Sequence, residues 1–187
     1  MKKVFLSVLA LGLFVLPAYA TKGLRDNPKE SNVNVVAGRY GSFKTGKRAR
    51  RDGIVRVKSA YSVAETARRF EEAVNKPGRE ALNIIATVDH TDNARKVGKQ
   101  LRPTQLFVFG NPMVGTPLMQ CNQTVGIDLP QKALIWEDEQ GKVWLAYNSP
   151  QSFLSVRHKL RGCDAEAKQA LETVGSVLNV LAQEATQ

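Results

Sequence analysis

The sequence predicts an α+β domain, a layered sheet with helices that includes an antiparallel hairpin over 132–148. Three observations lead there. Short β-rich runs alternate with amphipathic segments from residue 53 to about 121. One of those segments opens on a capping box. Two further β-rich runs, Lys132 to Asp138 and Lys142 to Asn148, flank the turn Glu139-Gln140-Gly141, so at least part of the sheet is antiparallel.

Two segments precede that domain. Lys2 and Lys3 lead an uncharged apolar run, 4–17, and Ala18-Tyr19-Ala20 offers small residues at the −3 and −1 positions of a cleavage site. A membrane span needs about 20 apolar residues. The run is shorter, so residues 1–20 read as a signal peptide cleaved at about Ala20, with the mature chain periplasmic or secreted. Residues 21–52 form a basic flexible arm, poor in large apolar residues and rich in Gly, Asn, Ser, Lys and Arg. Within it, KTGKRARR (44–51) sets five positive charges in eight residues with no acid. That is either a solvated tail or a peripheral contact for an anionic membrane surface. The chain carries a formal net charge of +10. In an exported protein this points to anionic lipid, cell-wall polymer or acidic partners and away from nucleic acid.

Ile54, Val55 and Val57 predict a short strand within 53–59. Ser62-Val63-Ala64-Glu65 is the capping box: the Ser62 hydroxyl accepts the third helical N–H while Glu65 reaches back. Val63, Ala67, Phe70 and Val74 then recur on one helical face, and Pro77-Gly78 stops the helix. Residues 81–90 alternate, with Leu82, Ile84, Ala86 and Val88 on one face of a strand. Ala94, Val97 and Leu101 give a helical stripe over 91–101, stopped by Arg102-Pro103.

Residues 105–109 are a short apolar strand. It leads into LFVFGNPMVGTPLMQC (106–121), which holds two Gly-x-Pro turns. Asn111-Pro112 reads as a turn, and Thr116-Pro117 as the cap and first residue of a helix. Free N–H groups at such a start can bind an anion, but the lysine and hydroxyl of a phosphate loop are absent. After Pro150 a short helix is predicted. Asp164 caps a last amphipathic segment, 161–187, where Leu171, Val174, Leu178 and Leu181 form a stripe that docks on its own domain or on a second copy.

Cys121 and Cys163 are the only cysteines. In an oxidising compartment they form either a disulfide or two separate buried thiols. The two histidines, His90 and His158, are the natural acid/base candidates. As metal or haem ligands they would need Asp89, Asp128, Glu137 or a cysteine beside them, and no ligand spacing supports that. The plainer roles are a helix cap or a polar rim. Asp128, Lys132, Glu137 and Asp138 lie close in sequence, yet Lys132 and Glu137 stand at opposite ends of one strand, too far apart to form a catalytic pair. Nucleophile elbows, dinucleotide glycine patterns, zinc ribbons and RNA-binding aromatic motifs are missing.

The runs VDHTDNARKVG, LRPTQLFVFGNPMVGTPLMQ, VGIDLPQKALIWED and KVWLAYNSP, with Arg157-His158, together resemble a bacterial and archaeal family known as domain of unknown function number 302. They cover about residues 53–160. The resemblance implies an α+β domain with a TATA-binding-protein-like architecture and a homodimer; it implies no reaction and no cofactor. His90, Asn111, Thr116, Asp128, Lys132 and His158 fall on the shared runs.

The resulting expectation is a small-ligand pocket between the His90 turn and the 110–117 turn, with Asp128, Lys132 and His158 on its rim. Two other readings stay open. One is an enzyme that uses His90 or His158 as acid/base or as metal or haem ligands. The other is an envelope interaction protein acting through the basic arm and terminal helix.

Overall fold

A computed structural model describes residues 52–187, so the predicted cleavage segment 1–20 and the basic cluster 44–51 lie outside the described residues. The elements are β1 (Ile54–Lys58), α1 (Val63–Val74), β2 (Asn83–Asp89), α2 (His90–Lys96), β3 (Thr104–Gly110), α3 (Pro112–Cys121), β4 (Gln131–Glu137), β5 (Val143–Asn148) and α4 (Ala165–Thr186). All five strands join one sheet in the order β1-β5-β4-β3-β2, with every neighbouring pair antiparallel. The α+β class and the 132–148 hairpin are both observed.

Strand alternation sorts the side chains. Val55, Tyr147, Ala133 and Phe107 share one cross-strand row, and Val57, Leu145 and Ile135 share the next. All of these are buried against the helices. Phe70 of α1 meets this face, its ring 5.1 Å from Phe107 and 5.2 Å from Phe109, a tilted and an edge-on aromatic contact. On the opposite face Val88, Leu106, Leu134, Trp136 and Trp144 are only partly buried. At the start of β1, Gly53 sits at φ +75° with Phe153 so close that an added Cβ would lie 2.9 Å from the Phe153 Cβ.

Three helix termini differ in detail from the sequence reading. Ser62 Oγ accepts the Glu65 N–H at 3.2 Å, but the Glu65 carboxylate pairs with Arg68 instead of reaching back, so half of the capping box forms. Helix α2 begins at His90, capped by Asp89 Oδ1 accepting the Asp92 N–H at 2.9 Å, and ends at Lys96. Gly98 stops it at φ +70°: the Lys99 N–H bonds to the Ala94 carbonyl and the Gly98 N–H to that of Arg95, a Schellman ending. Val97 and Leu101 are therefore outside the helix and stay 70% and 47% exposed.

The third correction concerns 111–121. Asn111, not Thr116, is the cap. Its Oδ1 accepts the Met113 N–H at 2.9 Å, Pro112 takes the first helical position, and the helix runs through Pro117. A proline inside a helix forfeits one hydrogen bond. Here the loss is offset because Val114, Pro117 and Leu118, at i, i+3 and i+4, are buried together against the core. In β2 the predicted alternation also breaks: a bulge between Ile84 and Ala86 leaves Ile85 60% exposed.

Helix α4 follows the prediction. Asp164 Oδ1 accepts the Ala167 N–H at 2.9 Å, and Val174, Leu178 and Leu181 are buried, with Leu171 packed at the margin. It docks on α1 and α3 of its own chain.

In the hairpin turn, Asp138 Oδ1 accepts the N–H groups of Gln140 and Lys142, each at 2.9 Å, and Oδ2 accepts from Trp144 Nε1 at 2.7 Å. The Trp144 bond holds the Asp138 carboxyl below its ordinary value, and the two turn N–H groups add to it. A carboxyl lowered in the folded state stabilises the hairpin above its unfolded pKa of about 3.9, and that contribution disappears as pH falls through the folded value. Trp144→Phe is expected to move the Asp138 titration back toward about 3.9, as followed by carboxyl carbon NMR.

Candidate functional site

A pocket of about 260 Å³ lies between helices α3 and α4 at one end of the sheet. Phe109 of β3 and Gln131 of β4, which are register partners, face it from the sheet. Val114, Gly115 and Met119 line it from α3, and Val174, Val177 and Leu178 from α4. Asn111 and Thr116 stand beside it with Leu82, Ile85, Leu129 and Pro130. Among the described residues, none that lines it carries a charge. The wall is thus largely aliphatic and aromatic, with three polar side chains to orient a guest.

Gln131 is the polar group with the most to gain from a guest. It is 7% exposed, and its Nε2 is buried with no hydrogen-bond partner among the described residues. A buried amide donor left unpaired costs about 1–3 kcal/mol. The sequence contained a signal for it. Ala133 and Ile135 alternate onto the inward face of β4, and the same period carried back one step lands on Gln131, a polar residue on a core-facing row.

The residues predicted for the site separate into three places. Asn111 and Thr116 border the pocket, although Asn111 Oδ1 is already committed to its helix cap. His90 is distant. It follows Asp89, which pairs with Gln105, whereas the pocket end of β2 is Asn83, paired with Gly110. Six residues of strand place these ends about 20 Å apart.

Asp128, Lys132 and His158 belong to a third place, beyond the C-terminal end of α3. His158 is 4% exposed, with Nε2 2.6 Å from Asp128 Oδ2 and Nδ1 2.8 Å from Thr124 Oγ1. Both ring nitrogens are therefore hydrogen-bonded within the protein, and the buried ring lies away from the pocket. Arg157 Nε adds to the same carboxylate at 3.3 Å, and Asn122 Nδ2 donates to the His158 carbonyl at 2.9 Å. Lys132 Nζ donates to the carbonyls of Asp128 and Pro130. Cys121 and Cys163 form a disulfide beside this cluster, with Cα atoms 5.8 Å apart and a sequence separation of 42. On loop-closure entropy alone such a bond contributes about 4 kcal/mol.

This arrangement is a fastening. It ties the end of α3 and the turn Gln123–Ile127 to the segment that leads into α4, and so sets the spacing of two pocket walls. His158→Ala would remove both ring bonds that hold Asp128 and Thr124, leaving them only Arg157 and Asn122, and a loss of about 1–3 kcal/mol is expected in urea unfolding at neutral pH. A loss under about 0.5 kcal/mol, the size of an ordinary surface substitution, would show that the cluster does not fasten the helices.

Comparison with known proteins bears on the fold and the family. A solved structure described as an uncharacterised conserved protein DUF302 from Bacillus stearothermophilus superposes with a TM-score of 0.59 at 18% identity, covering 71% of this chain and 97% of that one. At that identity the likeness concerns the fold. Two proteins named fluoride-specific ion channel FluC 1 are each 44% identical over 126 residues, from Brucella suis biovar 1 (strain 1330) and Brucella abortus biovar 1 (strain 9-941). The match takes in 67% of this chain but only 48% and 45% of those proteins, so the chain spans about half the length of the relatives it matches. The family described as domain of unknown function DUF302 matches residues 55–181, from β1 into α4. The chain belongs to the DUF302 family.

Proposed function

We propose that this protein is an exported binding module that holds a small, largely apolar molecule between α3 and α4. The observation that carries the reading is the pocket itself, about 260 Å³ in volume, uncharged and lined by buried Phe109, Val177 and Leu178. Placement in the periplasm or outside the cell is supported by the cleavage pattern of residues 1–20 and by the paired cysteines. An acid/base enzyme has less support: His158 is 4% exposed and does not line the pocket, and His90 stands at the far end of β2 from it.

The test is a titration with octane and 2-octanone, followed by backbone amide NMR. Saturable shifts around Val114, Met119 and Leu178 are expected, and they should vanish in Val177→Phe, which fills the pocket. If a folded Val177→Phe responds as wild type does, or if neither probe binds, the reading fails.

A second reading rests on the Brucella relatives. Those proteins are named as fluoride channels, and this chain matches less than half of each. Among the described residues no helix is long and apolar enough to cross a membrane. We infer that the shared stretch serves such a channel from outside the bilayer. Deleting the matching residues from the Brucella suis protein should leave it inserted in the membrane but change its fluoride efflux. Unchanged efflux removes this reading.

A further inference from the structure

We infer that the pocket between α3 and α4 selects an uncharged carbonyl compound, a ketone, aldehyde, ester or amide on a chain of medium length, oriented by the Gln131 amide. This rests on the pocket reading above and narrows it to a ligand class.

Three observations carry the inference. First, no described residue lining the pocket carries a charge. An ionised carboxylate or ammonium moved into it would lose hydration with nothing to replace it, a cost of several kcal/mol. Lys132, the nearest base along β4, lies on the opposite face of the sheet from Gln131 and donates to two backbone carbonyls instead. Second, Gln131 Nε2 is a buried donor with no hydrogen-bond partner among the described residues, and the residue is 7% exposed and borders the cavity. Its complement is a hydrogen-bond acceptor, and a neutral carbonyl oxygen supplies one without a charge. Third, the size is limited. A volume of about 260 Å³ falls just below the roughly 300–1,000 Å³ of pockets for drug-sized ligands, so it suits a smaller guest.

The position of Gln131 gives the orientation. It stands opposite Phe109 on the row of the sheet beside the pocket, with Val177 and Leu178 coming from the helix layer. The carbonyl therefore points to the sheet, and the alkyl chain runs between α3 and α4 toward Ile85 and Thr116 at the exposed margin. The same donor favours a carbonyl over a plain alkane, which would leave Gln131 Nε2 without an acceptor.

Octane, 2-octanone and octanoate are titrated at neutral pH into the wild-type chain and into Gln131→Leu. The affinity for 2-octanone should fall roughly tenfold in the variant while that for octane stays level or rises, and octanoate should bind weakest to the wild type. A second measurement needs no substitution. The carbonyl stretch of carbon-13-labelled 2-octanone bound to the wild type should lie below its value in hexane, the mark of a hydrogen bond. If octane and 2-octanone respond equally to Gln131→Leu, or the bound carbonyl absorbs as in hexane, the ligand class is overturned while the pocket reading stands. Octanoate binding as tightly as 2-octanone overturns it too. If no probe binds the wild type, both readings fall together.

Discussion

The apolar stripe of α4 is the contact on which the rest of the structure depends. A five-stranded sheet with one strongly apolar face needs a helical layer over it, and α4 packs against both α1 and α3 in that layer. Ala170, Leu181, Ala182 and Ala185 are fully buried along it. Small residues at three of those four positions bring neighbouring backbones close, while Leu181 fills the remaining volume. Polar contacts fix the register. Glu184 accepts from Lys76 Nζ at 3.0 Å and from Arg79 Nη1 at 2.7 Å, and Arg69 donates to the Glu184 carbonyl at 2.9 Å. Arg79 is 10% exposed, so that contact is better shielded from solvent than the surface pairs along α1.

The pocket follows from how α3 leaves this layer. Its N-terminal half is held by the Asn111 cap and its C-terminal end by the disulfide and the His158 cluster, while the middle turns Gly115 and Met119 toward α4 across a gap. Gly115 keeps that wall low, with an added Cβ only 3.4 Å from Leu129 Cδ1. A pocket bounded by two separately fastened helices is preformed, which lowers the ordering cost of binding. It also explains why the histidine that sequence reasoning put on the rim belongs to the fastening instead. Imidazole with both nitrogens bonded ties the His158 segment at two points to Thr124 and Asp128 in the stretch that follows α3, and rigidity there is what the pocket wall requires.

Fold and site were legible to different degrees. The hairpin, the Ser62 and Asp164 caps, the α1 stripe and the α4 stripe could all be read directly, since each rests on neighbours within a turn or two of helix or along one strand. Helix α2 was overextended because the Ala94, Val97 and Leu101 period continues past Gly98, and only the left-handed conformation at that glycine shows where the chain turns away. At 111–121 the local signals read Asn111-Pro112 as a turn and Thr116-Pro117 as the helix start. The choice of Asn111-Pro112 came from Val114, Pro117 and Leu118 finding the core together, a matter of packing that local rules do not contain.

The sequence by itself determined the α+β class, the antiparallel hairpin, the starts of α1 and α4 and the polar groups available for chemistry, because periodicity and capping are set by residues near one another along the chain. The tertiary structure decided which of those groups meet. It joined Cys121 to Cys163, drew Asp128 and His158 into a fastening, and moved His90 to the opposite end of β2. It also placed Gln131, a residue with no motif around it, unpaired against an uncharged pocket. The physical reason is that a pocket is a convergence of distant segments, and its chemistry is fixed by which side chains are buried without a partner once those segments have packed.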